Sequence, residues 1–141
     1  MALSFTQLWN NHPYPDSPCD STFINQCAIR MGVALEKSGI NIHTFHGAKC
    51  YQNFKHSPRH ILRAQELANW LLSRQDLVGK VAKKKKVSQN DYIGKKGIVF
   101  IKDGWGSTDH IDVWDGSKML MKGGSPDYFT LGTEVWFWEL L

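Results

Sequence analysis

The spacing of apolar residues changes once along this chain, from helical steps before residue 76 to strand alternation after residue 96. Ile24, Cys27, Ala28, Met31 and Leu35 recur at three- and four-residue intervals, which predicts an amphipathic helix over Thr22 to Lys37. Asp20, Ser21 or Thr22 can cap its start and Gly39 can end it. A second helix is expected from a Ser57 cap with Pro58 at the first helical position. Its apolar face is Ile61, Leu62, Ala64, Leu67, Ala68, Leu71 and Leu72, and it ends near Gln75. Beyond it, Gly97 to Lys102 (GIVFIK) and His110 to Trp114 (HIDVW) read as strands. Asp115-Gly116 is a hairpin signal leading into Lys118 to Met121, and Glu134 to Leu140 is a last strand. Helices followed by hairpin-linked strands give an α+β fold with N-terminal helices packed on an antiparallel sheet.

At 141 residues the chain is expected to form a single domain over 1–141. Its 42% apolar content includes six Trp, enough to close one core and too much for a disordered chain. No run approaches the roughly 18 apolar residues of a membrane span. The N-terminal MALSFTQLWNNHPYPDSP has neither a basic start nor a continuous apolar run, so no signal peptide is expected. Pro13, Pro15 and Pro18 make that stretch irregular after a short helical turn near Phe5 to Trp9.

The net charge of +4 favours anionic partners without naming one. Part of it is the run KVAKKKK (Lys80 to Lys86), whose ordinary reading is a solvated loop between the halves of the domain. The other reading of Lys83 to Lys86 is a patch for polyanions. A basic nucleic-acid-binding domain is therefore an alternative function, but no RNA-binding signature accompanies the lysines.

Three cysteines, Cys19, Cys27 and Cys50, are an odd number, so at least one is a free thiol within a monomer. They form no CxxC and the histidines lack ligand spacing, so neither a metal nor another cofactor is expected. Cys27 sits near a helix start, where unpaired N–H groups and the helix dipole stabilise a thiolate. A small buried hydrophobe is the ordinary alternative for such a cysteine. His110 opens a strand after the small-residue loop Gly104 to Asp109, placing an imidazole where it can face a cleft. A cysteine with a histidine brought beside it by the fold is the pair that cysteine hydrolases use, the imidazole taking the thiol proton. A carboxylate should fix the imidazole tautomer. Asp112 shares a strand face with His110 and is favoured, with Asp127 beyond the hairpin as the alternative. Asp109 and Asp115 read as loop and turn residues, and Gln26 or the Cys27 N–H can assist an oxyanion.

FINQCAIRMGVAL (Phe23 to Leu35), GKKGIVFI (Gly94 to Ile101), HIDVWDG (His110 to Gly116) and VWFWEL (Val135 to Leu140) together resemble the fourth family of type VI secretion amidase effectors. These are small NlpC-like, papain-type cysteine peptidases. The resemblance implies cleavage between D-glutamate and meso-diaminopimelate in peptidoglycan stem peptides. It implies Cys27 as nucleophile and His110 as base, with Asp112 carried by the H-x-D-x-W pattern. Some relatives place the acid well after the histidine, where this chain has Met119 to Lys122 and no carboxylate. The family often has Gly before the histidine, where Asp109 stands here.

The resemblance further implies passage through the type VI apparatus into the periplasm of a target bacterium, and inhibition by a cognate immunity protein. In that oxidising compartment Cys19 and Cys50 can pair and leave Cys27 free. Trp105 can line the cleft, while Trp114, Trp136 and Trp138 are assigned to the core. A catalytically inactive relative is the remaining alternative, and retention of both Cys27 and His110 argues against it.

Overall fold

The computed structural model describes residues 3–14, 27–42, 45, 47, 61, 63–105, 108–123 and 128–140. Ser4 caps the first helix, α1 (Phe5–Asn11), by accepting the Gln7 N–H at 3.4 Å. α2 is described over Cys27–Lys37, and residues 22–26 of the expected helix lie outside the described residues. The second expected helix is shorter than its apolar pattern: α3 spans Ala64–Leu72, and α4 (Gln75–Val78) follows after one turn. Arg63 is extended, so Ile61 precedes α3 rather than belonging to it. Ser57 and Pro58 lie outside the described residues. Ile61 is nevertheless fully buried, because it packs against Gly32 of α2, where a Cβ would already stand 3.3 Å from its Cδ1. Burial does not require helical spacing, and this apolar residue was counted on a face it does not share.

Among the described residues the sheet has five antiparallel strands in the order β1-β5-β2-β3-β4. These are β1 (Ala82–Lys84), β2 (Lys96–Trp105), β3 (Thr108–Asp115), β4 (Leu120–Met121) and β5 (Glu134–Glu139). Two differences from the sequence reading stand out. Part of the lysine run is an edge strand paired with β5 rather than a loop, and its three residues are exposed. Charged side chains on an edge discourage pairing with other chains. The Lys83 ammonium also sits 4.0 Å from the Trp136 ring centroid. Second, the small-residue loop before His110 is mostly strand, since β2 runs to Trp105 and β3 starts at Thr108.

Both faces of the sheet are covered. Ile98, Phe100, Ile111, Val113, Trp136 and Trp138 pack under α1, α2 and α3. Val99, Ile101, Trp114, Val135 and Phe137 form a second core with Tyr92, Met121 and Phe129. Phe129 belongs to α5 (Tyr128–Leu131), and Tyr92 ends the 3-10 turn Gln89–Tyr92. Trp114 donates its indole N–H to the Tyr92 carbonyl at 3.0 Å, which ties that turn to β3.

Candidate active site

The site assembles where α2 meets β3. β4 pairs with Trp114 and Asp115, so among the described residues β3 upstream of Trp114 has no strand beyond it. Lys122 and Gly123 continue alongside, the Lys122 N–H donating to the Val113 carbonyl at 2.9 Å. The β2–β3 register slips between Ile101 and Trp105, a bulge that Asp103 makes possible with a left-handed backbone (φ 58°). Asp109 braces it, its carboxylate accepting the Asp103 N–H at 2.9 Å. Asp109 is therefore a strand residue that fixes the approach to His110, not a free loop residue.

On β3, His110, Asp112 and Trp114 share one face by the strand alternation, opposite to Ile111 and Val113. His110 Nε2 lies 3.0 Å from Asp112 Oδ2, both side chains almost wholly buried. Asp112 is held further by the Val113 N–H at 2.8 Å and by the Gly123 N–H at 3.1 and 3.0 Å from its two oxygens. The carboxylate is thus buried but satisfied. With Nε2 turned to Asp112, Nδ1 is the ring nitrogen left for the thiol, and the Cys27 side chain is near enough to His110 to raise its pKa.

Cys27 is 8% exposed at the start of α2, its Sγ 3.7 Å from the Asp109 carbonyl. Burial pulls the His110 pKa down. The hydrogen bonds with Asp112 and Cys27, and the charges behind them, outweigh it and lift the value from 6.5 to about 9. The imidazolium is therefore the favoured form beside the thiol.

A family model, that of the type VI secretion system amidase effector protein 4, matches residues 23–138. The chain belongs to this family. Solved structures agree in fold. The Tae4 effector from Salmonella typhimurium, in its selenomethionine complex with Tai4, superposes with a TM-score of 0.77 at 23% identity, covering 100% of both chains. The Tae4 effector from Enterobacter cloacae gives 0.76 at 21%, covering 100% of this chain and 98% of that one. The Salmonella effector bound to the Enterobacter immunity protein Tai4 gives 0.73 at 25%, covering 98% and 99%. No curated protein matches the chain in sequence. The amidase-effector fold is thus the mixed helix and antiparallel-sheet architecture expected from the sequence.

Cys27, His110 and Asp112 converge within this fold, and Asp127, Gln26, Cys19 and Cys50 lie outside the described residues. Asp115 is the last residue of β3 rather than a turn residue, and it braces the turn that follows by accepting the Ser117 N–H at 2.9 Å and its hydroxyl at 2.7 Å. Among the described residues no group of three or more His, Cys, Asp or Glu is arranged to hold a metal ion.

Two residues of the site have no counterpart in the sequence reading. His12, in the proline-rich stretch after α1, is 4% exposed with its Nε2 3.7 Å from Asp112 Oδ1. Gly123, past β4, supplies the N–H that clamps Asp112. An isolated histidine in an irregular stretch carries no periodic signal, and a glycine after a strand reads only as a break.

Proposed function

We propose that this amidase effector is a cysteine peptidase of peptidoglycan in which Cys27 is the nucleophile, His110 the base and Asp112 the acid that orients it. The observation that carries the proposal is a single buried imidazole bonded through Nε2 to Asp112, with the Cys27 side chain close enough to shift its pKa. His110 holds the proton taken from Cys27, and Sγ attacks the carbonyl carbon of the scissile amide. The C–N bond breaks as His110 returns the proton to the leaving amine, and water then hydrolyses the thioester. The Nε2–Asp112 bond keeps the ring oriented through both transfers. The Cys27 backbone N–H is suited to the oxyanion.

The substrate in this reading is the stem peptide, cut between D-glutamate and meso-diaminopimelate. The whole of 1–141 acts as one domain, in the periplasm of a target cell reached through the type VI apparatus. The complexes of related Tae4 effectors with Tai4 support a cognate immunity protein as the inhibitor of this chain. Purified sacculi digested with the protein and analysed by mass spectrometry test the proposal, since fragment masses identify the bond. Cys27→Ala and His110→Ala should each abolish fragment release with the melting transition retained. Wild-type turnover in either variant refutes the assignment.

A further inference from the structure

α1 ends on His12, whose backbone N–H closes the last turn onto the Leu8 and Trp9 carbonyls. Its imidazole then turns inward: the side chain is 1% exposed and brings Nε2 within 3.7 Å of Asp112 Oδ1, an electrostatic contact beyond hydrogen-bond range. The other nitrogen, Nδ1, accepts the Tyr14 N–H at 3.3 Å. An accepting Nδ1 keeps its lone pair, so the proton of this ring sits on Nε2, facing the carboxylate. Tyr14 is itself held by α2, with the Arg30 guanidinium 5.0 Å from its ring centroid.

Gly123 fits the remaining side. A Cβ there would stand 3.1 Å from His12 Cε1 and 3.5 Å from Asp112 Oδ2, so a residue without one lets the ring, the carboxylate and the backbone N–H meet.

The charged groups around His12 come from three elements. Burial depresses its pKa most. Asp112 on β3 opposes that, while Arg30 on α2, Lys122 after β4 and His110 on β3 reinforce it, leaving a value of about 4. Two imidazoles therefore flank one carboxylate in opposite states, His110 charged and His12 neutral.

We infer that His12 is a positioning residue of the amidase, presenting its Nε2–H to the far side of the Asp112 carboxylate and so favouring the orientation His110 uses. The inference rests on the proposed roles of Cys27, His110 and Asp112. It deepens them by adding a contact from the N-terminal helix to the far side of the acid. A charged residue at position 12 would compete with His110 for the same carboxylate, so neutrality is part of the role.

The test compares His12→Leu, which fills space without a donor, with His12→Gln, whose amide N–H reaches toward the position of Nε2. Both are made in the wild-type and Asp112→Asn backgrounds, with kcat and KM measured on a purified stem peptide and folding checked by thermal melts. His12→Leu should lower kcat about tenfold at nearly unchanged KM, and His12→Gln should stay within about threefold of wild type. Because His12 acts through Asp112, the tenfold loss should shrink below about twofold in the Asp112→Asn background. Equal losses in the two backgrounds, or equal losses for Leu and Gln, overturn the inference. If His12→Leu does not fold, His12→Asn, whose amide is too short to reach, replaces it with the same expectations. Cys27→Ala is run in parallel: retained turnover there refutes the underlying triad, whereas an inactive Cys27→Ala leaves the His12 pattern to decide.

Discussion

Asp112→Asn is the change that probes this site most sharply, because it preserves the shape of the acid and reverses one hydrogen-bonding edge. The amide oxygen can still accept the Val113 N–H now 2.8 Å from Oδ1. The amide nitrogen then faces His110 Nε2 across the present 3.0 Å contact. A donor there requires Nε2 to accept, which moves the ring proton to Nδ1, the nitrogen turned toward Cys27. That nitrogen can then no longer take the thiol proton.

The size of the effect follows from His110. With the hydrogen bond and charge of Asp112 removed, only Cys27 still opposes burial, and the pKa should fall from about 9 toward the ordinary 6.5. A displacement of that size is worth about 3 kcal/mol of imidazolium stability, or about two orders of magnitude. The tautomer change adds to it, so kcat/KM should drop by about a thousandfold, compared with about ten-thousandfold for the same change in a serine-protease triad. The shape being kept, the melting temperature should move by less than about 5 °C. Peptide cleavage followed by chromatography gives the first quantity, and NMR titration of the His110 ring gives the second. Turnover within about tenfold of wild type, or an unmoved His110 midpoint, would refute the reasoning.

Two further expectations concern stability. His12 has a folded pKa of about 4 against 6.5 unfolded, so the unfolded chain binds more protons between those values. The contribution of neutral His12 is complete above pH 6.5 and is lost as the pH falls through that window, amounting to about 3 kcal/mol. Urea unfolding at a series of pH values should show this acid limb in the wild type and a shallower one in His12→Gln, and superimposable curves would contradict it. Gly97 pairs with both Trp114 and Glu139 in mid-sheet, and an added Cβ would collide with the Trp138 carbonyl. Gly97→Ala should cost about 3 kcal/mol and lower the melting temperature by about 10 °C; calorimetry showing a loss below about 2 °C would exclude that contact.

The parts of this fold legible in the sequence are those where one periodicity governs both burial and position. The alternation in HIDVW puts His110 and Asp112 on the same side of a strand, and the same alternation creates their contact. The helical spacing around Cys27 likewise survives in α2. Ile61 misled because an apolar residue beside a helix looks like one within it, and only its packing on Gly32 distinguishes the two. Ala82 to Lys84 could not be read as a strand, since an exposed edge held by backbone hydrogen bonds has no apolar face to reveal it. The continuation of β2 to Trp105 depends on a left-handed Asp103 and its brace from Asp109, neither of which is a pattern of residue types. His12 was out of reach for another reason: its partner lies 100 positions away and the pair is defined only by the docking of α1.

That separation has a kinetic consequence. Residue 12, the start of α2, the middle of β3 and the chain after β4 must all arrive before the carboxylate acquires its full set of neighbours. Contacts so distant along the chain close slowly, and local helix or hairpin formation cannot supply them. In the proposed mechanism, a partly folded molecule with α1 undocked keeps Cys27 and His110, and its acid lacks only the contact from His12. Full activity would then report that α1 has docked as well as that the sheet has closed.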